Sequence, residues 1–342
     1  MRRVLIASLA CAVWAQEAGF RVQTQLVMVP VSVTLGGQTV DGLEPQDFLV
    51  LDNGRPRKPD VDSFATGVAP IALVVAVQSS GISYPVLLKV RRIGAMIQPL
   101  ITGERGCAGL VSFSQRVEWL EECTGSPEAL SRAFARLRPV GDKTGRMLDA
   151  ASEAIKKLEQ RPRSRKVLLL VSETRDRGSE TALEAVLHDA QRANVMVYAA
   201  SYSAFTTAFT TKPSDTRQPK VTQGPGTPRN EPGSPAGRER IPIPPPEQRA
   251  DILGGLGELV RLGKENAVQA LTVGTGGMNY RFTRQKGLEE MIEKLGRELH
   301  TQYVLSFAPD STSPGYHTLE VRVARKGEYR VRARPGYWAS GQ

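Results

Sequence analysis

Histidine and cysteine are scarce in this 342-residue chain, with three of each, and aromatic residues make up only 6% of it. His188, His300 and His317 stand in no metal-ligand spacing, which removes the usual histidine-based metal centres. Cys107 and Cys123 are the cysteines left beyond the first 15 residues, too few for a zinc-binding set. No G-x-S-x-G stretch occurs, since Ser79-Ser80-Gly81 lacks the leading glycine, so the nucleophile elbow of a serine hydrolase is excluded. Basic residues interleaved with aromatic ones are few beyond Tyr329 and Tyr337, which speaks against a nucleic-acid surface. After residue 15 no apolar run reaches the roughly 18 residues that a membrane-spanning helix needs. These absences leave no catalytic constellation, and the chain reads as a non-enzyme.

What is present begins with charge: 45 Lys and Arg against 35 Asp and Glu, a formal net charge of +10. Met1-Arg-Arg followed by the apolar Val4–Val13 and by Val13-Trp-Ala15 has the regions of a secretory signal, so residues 1–15 are expected to be a signal peptide and the mature protein to be secreted or periplasmic. Cys11 offers a lipoprotein alternative, although Ser8 stands where a lipobox has leucine. In such a compartment a protein or an anionic polysaccharide is a better partner for a basic surface than nucleic acid. Exported chains also meet oxidising conditions. The stretch 109–120 reads as a β-hairpin; a turn centred on Gln115 places Cys107 opposite Cys123 and predicts a disulfide, whereas a register off by one leaves two free thiols.

Ile71-Ala-Leu-Val-Val-Ala-Val77 organises the rest. An unbroken apolar run of this length suggests a strand buried on both faces, and the polar Gln78–Ser83 that follows sits where open α/β sheets place ligands. Val86, Val90, Ile93, Ile97 and Leu100 then form one stripe of a helix over 85–100. Strand and helix alternate onward: strands at 166–172, 195–200 and 278–282, and helices opening at Ser126-Pro127 and covering 147–160, 179–193 and 254–272, with a final helix through Leu299. Residues 204–250 hold ten of the 23 prolines and are expected to be a disordered insert. Gly274-Thr-Gly-Gly277 lacks the context of a phosphate loop.

Both ends are β in character. Val27, Val29, Val31, Val33 and Leu35 alternate, with Pro30 favouring an edge strand, and Asp52-Asn-Gly54 is a hairpin signal. At the other end Tyr303, Leu305 and Phe307, then Leu319, Val321 and Val323, then Tyr329, Val331 and Ala333 alternate, which assigns Arg322, Arg330, Arg332 and Arg334 to one solvent face.

Strand, polar loop and helix at 71–100 resemble the opening unit of a von Willebrand factor type A domain, whose first loop reads Asp-x-Ser-Gly-Ser and begins a metal-ion-dependent adhesion site. Here the matching positions are Gln78, Ser79, Ser80, Gly81 and Ile82, with Ser83 one place late. Val40, Gly42, Leu43, Asp47, Phe48 and the turn at 52–54, with Arg334-Pro-Gly-Tyr-Trp338, resemble the leader and tail of secreted bacterial proteins of this type, notably acidobacterial ones. The resemblance implies an α/β fold with a doubly wound, mainly parallel, Rossmann-like sheet over 70–301, preceded by a β segment at 20–66. Strands at 302–338 would combine with that segment into one small β-sandwich.

The family's second loop places a threonine before "L-x-D-A"; by spacing from Asp149-Ala150 that position is Gly145, with Thr144 one early. Its third loop reads "S-D-G-x-D", matched here by Ser172-Glu-Thr-Arg-Asp176. Three degraded loops, with Arg146 and Arg175 close by, imply no tight magnesium site and no other cofactor, although magnesium stays open. A metal-free polar edge and direct capture of an acidic partner by the arginines, Lys143 and the serines are the other readings. The leading expectation is a secreted, non-catalytic protein-binding or adhesion module acting through Gln78, Ser80, Ser83, Thr144, Glu173 and Asp176. The alternative is a cell-envelope or secretion-assembly scaffold using the β-sandwich.

Overall fold

All eight residues of β6 (Ile71–Gln78) are buried, because alternate side chains enter two different cores. The computed structural model describes residues 26–63, 69–81, 84–141, 143–202, 259, 266–282, 285–309 and 315–339. The expected signal peptide, Ser83 and the proline-rich 204–250 lie outside them.

Strand β6 joins β7 (Cys107–Phe113), β8 (Val117–Thr124), β9 (Arg165–Ser172), β10 (Val195–Ser201) and β11 (Asn279–Arg281) in a six-stranded sheet of order β11-β10-β9-β6-β7-β8. Every pairing is parallel except β7 with β8 at the edge. Ile71, Leu73, Val75 and Val77 face α1 (Tyr84–Arg92), α2 (Gly94–Ile97), a π-helical turn (Gln98–Thr102) and α3 (Pro127–Arg136). Ala72, Val74 and Ala76 face α4 (Met147–Glu159), α5 (Leu183–Arg192) and α6 (Ala267–Thr275). A long helix, α7 (Gln285–Thr301), adds Leu288, Ile292, Leu295 and Leu299 to the first core. With helices on both faces, this is the doubly wound, mainly parallel α/β sheet expected.

Local chemistry explains most boundaries. Ser126 caps α3 by accepting from the Ala129 N–H at 3.1 Å, with Pro127 in the first turn. The expected helix over 85–100 is instead broken after Arg92. At the break the bonding tightens to three-residue steps, the Ile93 N–H donating to the Val90 carbonyl and the Met96 N–H to that of Ile93; beyond it, Gly94 lies against the Phe134 ring, where a Cβ would come within 2.8 Å, and Pro99 falls in the π-helical turn. The helix expected over 179–193 starts only at Leu183, because Ser179 and Thr181 are held by Asp176 and Asp149.

The terminal segments pair with each other. From the N-terminal side come β1 (Val27–Leu35), β2 (Gln38–Thr39), β3 (Phe48–Asp52), β4 (Arg55–Arg57) and β5 (Asp60–Ser63); from the C-terminal side come β12 (Tyr303–Phe307), β13 (Gly315–Val323), β14 (Tyr329–Arg332) and β15 (Gly336–Ala339). One sheet has the order β14-β1-β12-β5, with β2 on β1; the other runs β15-β13-β3-β4. A single apolar cluster takes Val29, Val31 and Leu305 from the first and Phe48, Val50 and Leu319 from the second. Strand β1 lies inside the sheet order but changes partner along its length: residues 27–31 pair with β12 and residues 32–35 with β14, so the half around Pro30 has the edge character expected of it. Pro30 is tolerated because its half of the strand is paired on the β12 side alone.

The expectation that four arginines share a solvent face is corrected for two of them. Arg322 and Arg330 are exposed, but Arg334 is buried and Arg332 largely so. The Arg332 guanidinium pairs with Glu298 and donates to the Gly276 carbonyl at 2.6 Å. That of Arg334 donates to the Gln191 and Met28 carbonyls at 3.0 and 2.9 Å. Their side of the strand is covered by the α/β body, and period two cannot tell solvent from a second layer. The glycine stretch at 274–277 ends α6 as a left-handed C-cap at Gly276, so it presents the carbonyl end of a helix, the wrong polarity for phosphate.

Candidate functional site at the loop edge

Three loops meet beyond the C-terminal ends of β6, β7 and β9. Backbone bonds join them: the Ser79 N–H donates to the Phe113 carbonyl, the Val140 N–H to Ser79, and Gly145 and Arg177 exchange a reciprocal pair at 2.9 and 3.0 Å. Gln78, Ser80, Thr144, Glu173 and Asp176 are thereby brought to one edge of the sheet.

Gln78 lies at the centre and is buried. Its Oε1 accepts from the Glu173 N–H at 3.0 Å, and its Nε2 donates to the Ser80 carbonyl at 3.2 Å, with Ser80 Oγ at 3.4 Å. The backbone fixes this orientation, since an N–H can only donate and a carbonyl can only accept. Ser80 Oγ in turn donates to the Thr144 carbonyl. Glu173 pairs with Arg177 at 3.1 Å. Below it the buried Tyr202 hydroxyl has no hydrogen-bond partner among the described residues; burial and then the charge of Glu173 push it above the usual phenol range, so it stays protonated.

Asp176 is occupied in capping α4. Its Oδ1 accepts from the Leu148 N–H at 3.0 Å and from Ser179 Oγ at 2.7 Å, and its Oδ2 accepts from the Ser179 N–H. Asp149 accepts from Arg146 Nε at 2.6 Å, Thr181 Oγ1 at 2.6 Å, and the N–H groups of Thr181 and Glu180. Burial by itself would raise the Asp149 carboxyl, but these donors outweigh it and hold it below its ordinary range. Arg146 also reaches Glu180 at 2.9 Å. Sequence reading missed the parts played by Gly145, Asp149, Ser179 and Thr181. The only available signal was the spacing of Arg146 and Asp149, neighbours on one helical turn.

The type A resemblance implies a divalent cation at this edge, and the donor set does not fit one. Magnesium takes an octahedral shell of oxygens. Gln78 turns an amide nitrogen toward Ser80, Ser80 Oγ is spent on Thr144, both Asp176 oxygens accept from protein donors, and Glu173 is paired with a guanidinium. Among the described residues no group of three or more His, Cys, Asp and Glu side chains gathers as a metal site. Of the exposed groups in these loops, Lys143, Arg175 and Val140, at 40% exposure, are no ligands for a divalent cation, and the exposed Glu180 carboxylate pairs with Arg146.

At the opposite end of β7, Cys107 and Cys123 form a disulfide with Cα atoms 5.2 Å apart. The hairpin is centred on Gln115 for its first three pairs, after which two irregularities shift the register, yet the sulfurs still meet.

No family model and no curated protein matches this chain. Solved structures resemble it distantly. The conserved hypothetical protein BatB from Bacteroides thetaiotaomicron is 12% identical, with a TM-score of 0.41 over 66% of this chain and 99% of that one. An aerotolerance-related membrane protein from Bacteroides fragilis is 14% identical, with a TM-score of 0.41 over 66% and 98%. The SpRpn10 VWA domain is 13% identical, with a TM-score of 0.30 over 40% and 78%. At this distance they are likenesses only, and the fold stands on the strand order and helix placement above.

Proposed function

We propose that this chain is a secreted, non-catalytic binding module of the von Willebrand factor type A kind, which engages an acidic segment of a partner protein through its loop edge without a cofactor. One observation carries this reading: Lys143, Arg175 and Val140 are exposed on the loops of an edge whose carboxylates Glu173, Asp176 and Asp149 are committed within the protein and whose exposed Glu180 is paired with Arg146. A surface of that kind attracts negative charge and offers an apolar contact once the partner arrives. Gln78, Ser80, Thr144 and Asp176 act as its frame, and Ser83 belongs to the same loop in sequence. We read the two terminal sheets as one small β-sandwich that carries the α/β body. Arg322 and Arg330, exposed on those strands, support a second reading in which the sandwich is the contact surface of an envelope scaffold.

Binding of a fluorescein-labelled polyglutamate peptide to the processed protein separates the two. The loop-edge reading expects salt-sensitive binding that the pair Lys143→Glu and Arg175→Glu removes and the pair Arg322→Glu and Arg330→Glu spares. The reverse pattern transfers the function to the strands, and a labelled heparin fragment bound in place of the peptide identifies an anionic polysaccharide as the partner.

A further inference from the structure

Gln78 and Gly145 fit each other in a way that neither shows alone. The Gln78 carboxamide is buried where three loops converge. Its oxygen holds the third loop through the Glu173 N–H, and its nitrogen holds the first through the Ser80 carbonyl. Ser80 extends the chain of bonds to the second loop by donating to Thr144. Gly145 flanks the same carboxamide, and a Cβ there would stand 3.0 Å from Nε2 and 3.3 Å from Cδ. The φ of Gly145 is not in the left-handed region, so conformation does not require glycine there. What a side chain at 145 would take is the space in which the Gln78 amide sits. Gly145 is itself locked by its reciprocal bonds with Arg177, so the loop cannot easily withdraw.

We infer that the Gln78 carboxamide, admitted by the missing side chain at Gly145, is the cross-link that assembles the loop edge and occupies the position a cation would otherwise need. A carboxylate could not replace it, because it would set negative charge against the Ser80 carbonyl with no proton to share. A divalent ion could not join it, because the amide nitrogen is a donor turned inward. The edge is therefore assembled whenever the protein is folded and does not respond to cation supply. Gln78 is a positioning residue in this scheme. The inference deepens the loop-edge reading but does not require any ligand, so its test uses none.

Site-resolved amide hydrogen exchange and thermal melting on the processed chain decide it. In the wild type, Glu173 amide protection and Tm are expected to be the same in excess EDTA and in excess MgCl2; a rise with magnesium would overturn the inference. Gln78→Met keeps the side-chain length and removes both bonds. It is expected to speed Glu173 exchange by roughly tenfold while Val75, deep in the sheet, stays protected; unchanged Glu173 exchange would also overturn it. If Gln78→Met does not fold, a second route remains. Gly145→Thr is expected to lower Tm in the presence of Gln78 and to be tolerated when combined with Gln78→Ser, whereas strict additivity of the two means that they do not share space and the scheme is wrong. Failure of polyglutamate binding leaves all of these readouts untouched.

Discussion

Asp149 shows how much a single carboxylate can organise without meeting a ligand. It gathers Arg146, Thr181 and the backbone at 180 and 181 under the loop edge. Its folded-state pKa lies below the unfolded value, so the stability it confers is fully present above the ordinary carboxylate range and is lost as pH falls through the lower folded value. Asp149→Asn is expected to cost about 2 kcal/mol near neutral pH, and the gap to wild type should close as pH drops below about 4; urea unfolding at a series of pH values measures both. Gln78, Ser80, Thr144 and Glu173 came forward from sequence through the resemblance to the type A loops, and their bonds bring them to one edge of the sheet. Arg332 and Arg334 could not be placed, since alternation says which side of a strand a residue occupies and not what lies over that side.

At the level of elements, the β7–β8 hairpin and the α6–β11 connection carry the sharpest expectations. The disulfide closes a loop of 16 residues' separation at the sheet edge, and Cys107→Ser with Cys123→Ser is expected to lower stability by about 3 kcal/mol, read by chemical denaturation against the wild type under non-reducing conditions. Gly277 passes so close to β10 that a Cβ would fall 1.9 Å from the Val197 carbonyl oxygen. Gly277→Ala must push the strand aside and is expected to cost about 2 kcal/mol or more, seen as a fall in Tm. The strands, the Ser126 cap and the Asn53-Gly54 hairpin were legible because local rules govern them. The break after Arg92 was not, because the apolar stripe runs through it unbroken, and the close approach of Gly94 to the Phe134 ring joins residues forty apart in sequence.

Across the whole molecule the two bodies are joined by a buried polar centre. Glu298 on α7 accepts from Ser32 Oγ at 3.1 Å, from the Tyr198 hydroxyl at 2.5 Å and from Arg332. Gln302 donates to Ser32 at 3.2 Å and accepts from Arg165 at 2.9 Å. These groups come from β1, β9, β10, β14, α7 and the residue that follows α7, so the terminal sheets and the parallel sheet share one charged seam. Glu298→Ala strands the Arg332 guanidinium and is expected to cost about 3–5 kcal/mol. It should also uncouple the bodies: unfolding followed at Trp119 on β8 and at Trp338 on β15, in single-tryptophan variants, should coincide in the wild type and separate in Glu298→Ala.

The pattern of apolar and polar residues determined the α/β character, the buried strand at Ile71–Val77 and the β nature of both ends, because each follows from how a few consecutive residues divide apolar from polar. Only the tertiary structure decided that Arg332 and Arg334 are buried, that Gly145 makes room for Gln78, and that Asp176 caps a helix. Those outcomes depend on what packs against a residue from far along the chain, and no local pattern holds that information.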